Sequence, residues 1–195
     1  KDPDTGETFG PRAAGSYDPE LAVISYTESK WGTDVSFSLK EGLLDDIPQD
    51  DALMYRGMSW EEFESVRSSG EIKSLGEYNL GPEQEGLTYF TSLADSGTYY
   101  ASGFAPVQYK PTPQKPAVVV SVRKREGVPV YGTGEHEIGI RGSIPADEIV
   151  DVWVGRPYRV TTGKTDVIDD FQGFRDGSGA GPDAQVAWKK EELSF

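Results

Sequence analysis

Glu135 and Glu137 stand two residues apart in Tyr131-Gly-Thr-Gly-Glu-His-Glu-Ile-Gly-Ile-Arg141, just after a Gly-containing turn and just before an alternating apolar run. If that run is a strand, residues two apart share a face, so both carboxylates point into one site and His136 points away. Paired carboxylates are the usual equipment for cleaving a glycosidic bond: one stabilises a cationic sugar, the other handles a proton. Glu-x-Glu is also a common pattern of solvated surface charge, so the surrounding elements must decide between the two readings.

Two further features carry potential chemistry. Arg56 ends the apolar stretch Leu53-Met54-Tyr55. A guanidinium there needs a partner, because leaving it buried and unpaired is very costly. Its planar fork suits phosphate or carboxylate, and the many acids of this chain make a structural ion pair the simpler expectation. Thr91 and Ser92 close a second apolar stretch just before a helical pattern. Hydroxyls at that position usually cap the helix, and they also serve to hold a catalytic carboxylate in place.

The elements that must position these residues follow from turn and cap signals. Asp18 and Pro19 open a predicted helix through Tyr26, and a second short helix is predicted from Thr33, ending near Gly42. Ala52 to Gly57 reads as a buried strand. Ser59-Trp-Glu-Glu62 matches a capping box and opens a helix that Gly70 stops. Leu87 to Ser92 is a strand, with Ser92 placed to cap a helix from Leu93 to about Ser102. A Pro-rich loop covers Gly103 to Pro116. Val118–Val122, Ile138–Ile140 and Ile149–Val154 are strands, Ser143–Glu148 is a turn, and Gly173–Asp183 is a Gly-rich loop. The stretch from Ala184 to Leu193 fits an edge strand or a helix. Helices first and then mostly strands imply an α+β fold.

Composition narrows the function. With 195 residues the chain can bury a real core in one domain. No apolar run is long enough to span a bilayer; the longest, Ala117-Val-Val-Val120 among them, have four residues. No cysteine is present, which removes thiolate chemistry and Cys-ligated zinc. A single His makes a His-based triad or a multi-His metal site a poor fit. The formal charge of −14 opposes binding to a nucleic-acid backbone or an anionic membrane and suits a cationic partner. Gly177-Ser-Gly-Ala-Gly181 lacks the Gly-Lys-Ser/Thr of a phosphate loop, and Asp166, Asp169, Asp170 and Asp176 lack the spacing of a calcium loop. The chain begins at Lys1 rather than Met and is expected to be a piece of a longer protein or a processed product.

Taken together, a strand ending in Tyr-Arg56-Gly, a strand ending in Phe-Thr91-Ser92 before a helix, a Pro-rich loop and Glu135-x-Glu137 resemble the Arg–Ser-Thr-Ser–Glu class of mono-ADP-ribosyltransferases. This group contains cholera-like and clostridial binary toxins and phage enzymes. Ile24-Ser-Tyr-Thr27 through Trp31-Gly-Thr-Asp-Val-Ser-Phe-Ser-Leu39-Lys-Glu-Gly42 looks like the helical lead-in of that family. The resemblance runs roughly from Asp18 to Val154. It departs from the family pattern in the missing first Ser of the middle motif and in the absence of the Arg often found in the loop after the helix, where Lys110 or Lys115 is the available substitute.

The resemblance implies a split β-sandwich with an N-terminal helical subregion, formed by residues 17–195 as a single catalytic domain after a flexible lead-in at 1–16. It implies that ADP-ribose passes from NAD to an arginine side chain of a target protein. Glu137 then stabilises the oxocarbenium-like state and Glu135 activates the acceptor. Arg56 meets the NAD phosphates, Gly57 the nicotinamide amide, and Thr91 and Ser92 shape the pocket, with Ser92 orienting Glu137. Phe104 stacks on nicotinamide and Tyr131 lies on the acceptor loop. No metal is implied. The expected setting is a soluble, monomeric domain of a larger protein, acting in a target-cell cytoplasm after secretion or phage delivery. An NAD glycohydrolase and a non-catalytic binding module are the alternatives.

Overall fold

The computed structural model describes residues 21–30, 32–74, 85–101, 111–112, 114–130, 136–159 and 184–192. Strand β4 (Leu53–Met58) organises both layers of the molecule. It lies antiparallel to β7 (Ala117–Arg123), with Leu53 opposite Arg123 and Met58 opposite Val118. β7 is buried from Ala117 through Val122. Such a continuous apolar run is what a strand covered on both faces requires. Alternate residues of β4 serve opposite layers. Leu53 and Tyr55 join Val119, Trp153 and Trp188 in one core, while Met54 and Met58 join Val118, Val120, Phe63 and Val66 in the other.

The architecture is mixed α+β, an antiparallel sheet with two α-helices among the described residues. The main sheet runs in the order β3 (Leu43–Leu44), β12 (Ala184–Glu191), β11 (Ile149–Arg159), β7, β4, β6 (Leu87–Thr91), β9 (Glu137–Arg141), β8 (Val128–Pro129). The β4–β6 ladder consists of the single pair Tyr55↔Thr91. By contrast β6 and β9 pair continuously from Leu87↔Arg141 to Thr91↔Glu137. Two ladders therefore meet at one bridge. The ambiguous C-terminal stretch resolves as the strand β12, paired with β11 from Arg159↔Ala184 to Val152↔Glu191.

Helix α1 (Trp60–Ser69) starts where the Ser59 hydroxyl accepts from the Glu62 N–H at 3.1 Å and stops at Gly70, whose φ of 76° lies in the left-handed region. It buries Phe63 and Val66, one turn apart, against the sheet. The short pair β5 (Glu71–Ile72) and β10 (Ile144–Pro145) follows it, and fully buried Ile72 and Ile144 extend the same core. Helix α2 (Ala94–Ala101) covers the opposite face, with Ala94 and Ala101 packed among Tyr55 and Val119.

The N-terminal region corrects the sequence reading. Helices were expected over Asp18–Tyr26 and from Thr33, yet β1 (Ala22–Ser29) and β2 (Gly32–Leu39) form an antiparallel hairpin from Ala22↔Leu39 to Ser29↔Gly32. The expected N-terminal helical subregion is thus a β-hairpin, and the part of the resemblance that rested on a helical lead-in is lost. The residues explain why. Val23, Ile24, Tyr26 and Thr27, then Thr33, Val35 and Phe37, are β-branched or aromatic, stiff at χ1 and suited to a pleated surface. Val35, Phe37 and Leu39 alternate with polar residues at period two, which outweighs the capping signal of Asp18 and Pro19.

α2 can lie on β4 only because two glycines face each other. A Cβ on Gly57 would sit 2.3 Å from the Gly97 carbonyl oxygen and 2.6 Å from Ala101 N, and one on Gly97 would sit 3.1 Å from Tyr55 Cβ. Gly57→Ala is therefore expected to destabilise the fold by about 1–3 kcal/mol through overpacking. Urea unfolding measures it, and an unchanged midpoint would show that α2 is not seated this closely.

Candidate functional site

Cross-strand register assembles the site. Tyr55 pairs with Thr91, and Thr91 pairs with Glu137. Directly opposed residues project to the same side, so these three form a row across β4, β6 and β9, on the face covered by α2. Tyr55 and Thr91 are buried, and Glu137 is half-buried at the start of its strand. From α2 the Tyr100 hydroxyl reaches down and donates to Glu137 Oε1. The neighbouring Tyr99 ring meets Tyr100 edge-on, with centroids 5.6 Å apart at 74°, and remains largely exposed. Burial, and then the hydrogen bond to Glu137 and its negative charge, push the Tyr100 phenol well above its ordinary value.

Thr91 and Ser92 divide the work differently from expectation. Thr91 Oγ1 accepts from Leu93 N at 3.2 Å. Ser92, expected to cap α2 and orient Glu137, does neither. Its N–H donates to the His136 carbonyl at 2.8 Å and its hydroxyl lies 3.4 Å from His136 Nδ1. Gln49 takes over the cap: its Oε1 accepts from Ala94 N at 2.8 Å while its Nε2 donates to the Ser92 carbonyl at 3.0 Å. His136 is exposed, as expected of the residue between the two carboxylates.

Arg56 lies on the other face. It alternates with Tyr55 along β4 and is set opposite Val120 of the α1-side core. Its guanidinium is buried and donates through Nε and Nη2 to Glu62 Oε1, at 3.0 and 2.7 Å, and through Nη1 to the Tyr89 carbonyl at 2.9 Å. Glu62 is the last residue of the capping box, so its carboxylate serves Arg56 rather than turning back to the helix start. Gly57 is on the α2 face, where the helix fills the space a side chain would take. Lys115 is ion-paired with Glu61 of α1 at 2.6 Å, holding that carboxyl below its usual range.

The structure thus brings Thr91 and Glu137 together, adds Tyr55 and Tyr100, and sets Arg56 apart with Glu62. Glu135, Phe104, Tyr131 and Lys110 lie outside the described residues. Sequence reading missed Tyr100 and Gln49. The only local signal for Tyr100 was an aromatic residue near the end of a helix that follows Thr91, and Gln49 sits in a loop 45 residues before its partner Ala94. Among the described residues no cluster of three or more His, Asp or Glu side chains could hold a metal ion, and no helix is long and apolar enough to cross a membrane. No family model matches the chain, and neither a curated protein nor a solved structure matches it.

Two measurements test this geometry. Arg56→Met, Glu62→Gln and the double variant should show a coupling of roughly 0.5–3 kcal/mol in urea unfolding, near the upper end because the guanidinium is buried. Additive losses would mean that the pair is not formed. Tyr55 and Tyr100 are both raised above 10.0, each by burial first. Unfolded tyrosines ionise near pH 10 while these stay neutral, so their contribution is complete below that pH and declines as pH rises past it. Tyr100→Phe should flatten the alkaline fall of the melting temperature above about pH 10; an unchanged slope would contradict the assignment.

Proposed function

We propose that this chain is an NAD-dependent mono-ADP-ribosyltransferase that modifies an arginine side chain of a target protein. The observation that carries the reading is the setting of Glu137. It is a half-buried carboxylate on β9, opposite Thr91, beside the place where the β4 and β6 ladders are joined by one residue pair. A half-buried carboxylate fixed on a strand is what a developing sugar cation needs.

In the proposed reaction the glycosidic C–N bond of NAD breaks and its electron pair leaves on nicotinamide. Glu137 binds a ribose hydroxyl and stabilises the oxocarbenium-like sugar. A guanidinium nitrogen of the acceptor attacks the anomeric carbon and its proton passes to Glu135. Thr91 walls the site. Gly57 has only its main chain to offer the nicotinamide amide, since α2 occupies its side-chain direction. Arg56 reaches the NAD phosphates only by exchanging Glu62 for the pyrophosphate, a like-for-like swap of anions on its fork. Phe104 and Tyr131 keep their proposed places as nicotinamide stack and acceptor-loop contact. The net charge of −14 favours a basic target surface around the modified arginine.

The test is mass spectrometry of agmatine, a small guanidinium acceptor, incubated with NAD and the protein. Wild type should add one ADP-ribose, and Glu137→Ala should lower the rate by roughly 10²–10³. Glu135→Gln should spare hydrolysis of NAD by water while abolishing transfer. Release of nicotinamide without an agmatine adduct would replace the transferase with an NAD glycohydrolase. Folded protein that never turns NAD over would leave a binding module.

A further inference from the structure

We propose that Tyr100 is the positioning residue for Glu137, doing by a phenol on α2 what the family resemblance implies for Ser92. The inference rests on the transferase reading and deepens it. Its basis is geometric. The Tyr100 hydroxyl donates to Glu137 Oε1, whereas the Ser92 hydroxyl lies beside His136 Nδ1. A carboxylate has two oxygens, each able to accept. With Oε1 occupied by the phenol, Oε2 is the oxygen left to take a ribose hydroxyl, and the carboxylate cannot rotate freely between the two roles.

The phenol is itself held firmly. Tyr100 is near the C-terminal end of α2, one residue before buried Ala101. α2 is fixed on β4 by the close approach of Gly57 to Gly97 and Ala101, and at its start by Gln49 and Thr91. Thr91 is also the residue directly opposite Glu137. Donor and acceptor are therefore carried by elements that share Thr91 as a tie, one through its hydroxyl and one through strand pairing, which favours holding the carboxylate in one orientation. Exposed Tyr99 packs edge-on against the Tyr100 ring.

Tyr100→Phe tests the role, since it keeps the ring and removes only the hydroxyl. In the wild-type background, NAD turnover should fall roughly 10- to 100-fold in kcat, the usual worth of a hydrogen bond to a charged group. KM for NAD should change little, and the urea midpoint at neutral pH should fall by no more than the loss of one hydrogen bond explains. A purely structural tyrosine would move stability and leave kcat alone. A second readout needs no NAD. Alkaline titration of phenolate absorbance should show one tyrosine ionising at lower pH in Glu137→Gln than in wild type, and that difference should vanish when Tyr100→Phe is added. Wild-type turnover with an unchanged kcat in Tyr100→Phe overturns the positioning role alone. A tyrosine titration indifferent to Glu137→Gln overturns the contact itself. Absence of NAD turnover by folded wild type overturns the transferase reading, and the positioning role with it.

Discussion

A buried guanidinium must be satisfied on every side it presents, and Arg56 meets that demand by tying together three elements. It projects from β4, takes the Glu62 carboxylate of α1 and donates to the Tyr89 carbonyl of β6. The ladder between β4 and β6 has one residue pair, so β6 carbonyls along this edge lack strand partners from β4. A buried carbonyl without a donor is costly. The Arg56 bond to the Tyr89 carbonyl supplies a donor there and ties β4 to β6 beside their single bridge. The helix start gives up little in exchange. Ser59 still accepts the Glu62 N–H, so only the return half of the capping box is surrendered to the ion pair.

The other face of β4 carries an equally tight chain of dependence. Tyr55 accepts from Asp50 N at 2.7 Å and so fixes the loop that precedes β4. That loop holds Gln49, which caps α2, and α2 brings Tyr100 to Glu137. Gly57 and Gly97 let the helix descend far enough for this reach. One six-residue strand thus organises an ion pair on one side and a carboxylate–phenol pair on the other, because its residues alternate faces.

Much of this fold was legible locally. The strand containing Arg56, the Ser59 cap, the Gly70 stop and the apolar run of β7 each carry their signal within a few residues and form close to where expected, though β4 does not end at Arg56 but runs on to Met58. The N-terminal hairpin was misread because Asp18-Pro19 is a strong helix opener in isolation. The β-branched and aromatic residues that follow, free to pair across Ser29↔Gly32, overrule it. Gln49 and Tyr100 were invisible for another reason. Their partners are 45 and 37 residues away, and no local pattern encodes a contact that only tertiary packing creates. The simple expectation for Arg56, an ion pair with an acid, did not name Glu62, since that residue was already spoken for by the capping-box pattern.

Motif order along a chain also says nothing about face parity, and here parity matters. Arg56 and Glu137 are read together when aligned as successive signatures, yet Glu137 is in register with Thr91, and Thr91 with Tyr55, the residue next to Arg56. One step along a strand turns a side chain through the sheet. The chemistry available around Glu137 therefore comes from the α2 face, where a phenol rather than a guanidinium is its nearest polar neighbour among the described contacts. A phenol can hold and polarise a carboxylate but cannot neutralise a pyrophosphate. In the proposed transferase reading, a pyrophosphate that draws Arg56 away from Glu62 also loosens the tie between β4, α1 and β6, so ligand binding and sheet geometry would be coupled through the same guanidinium.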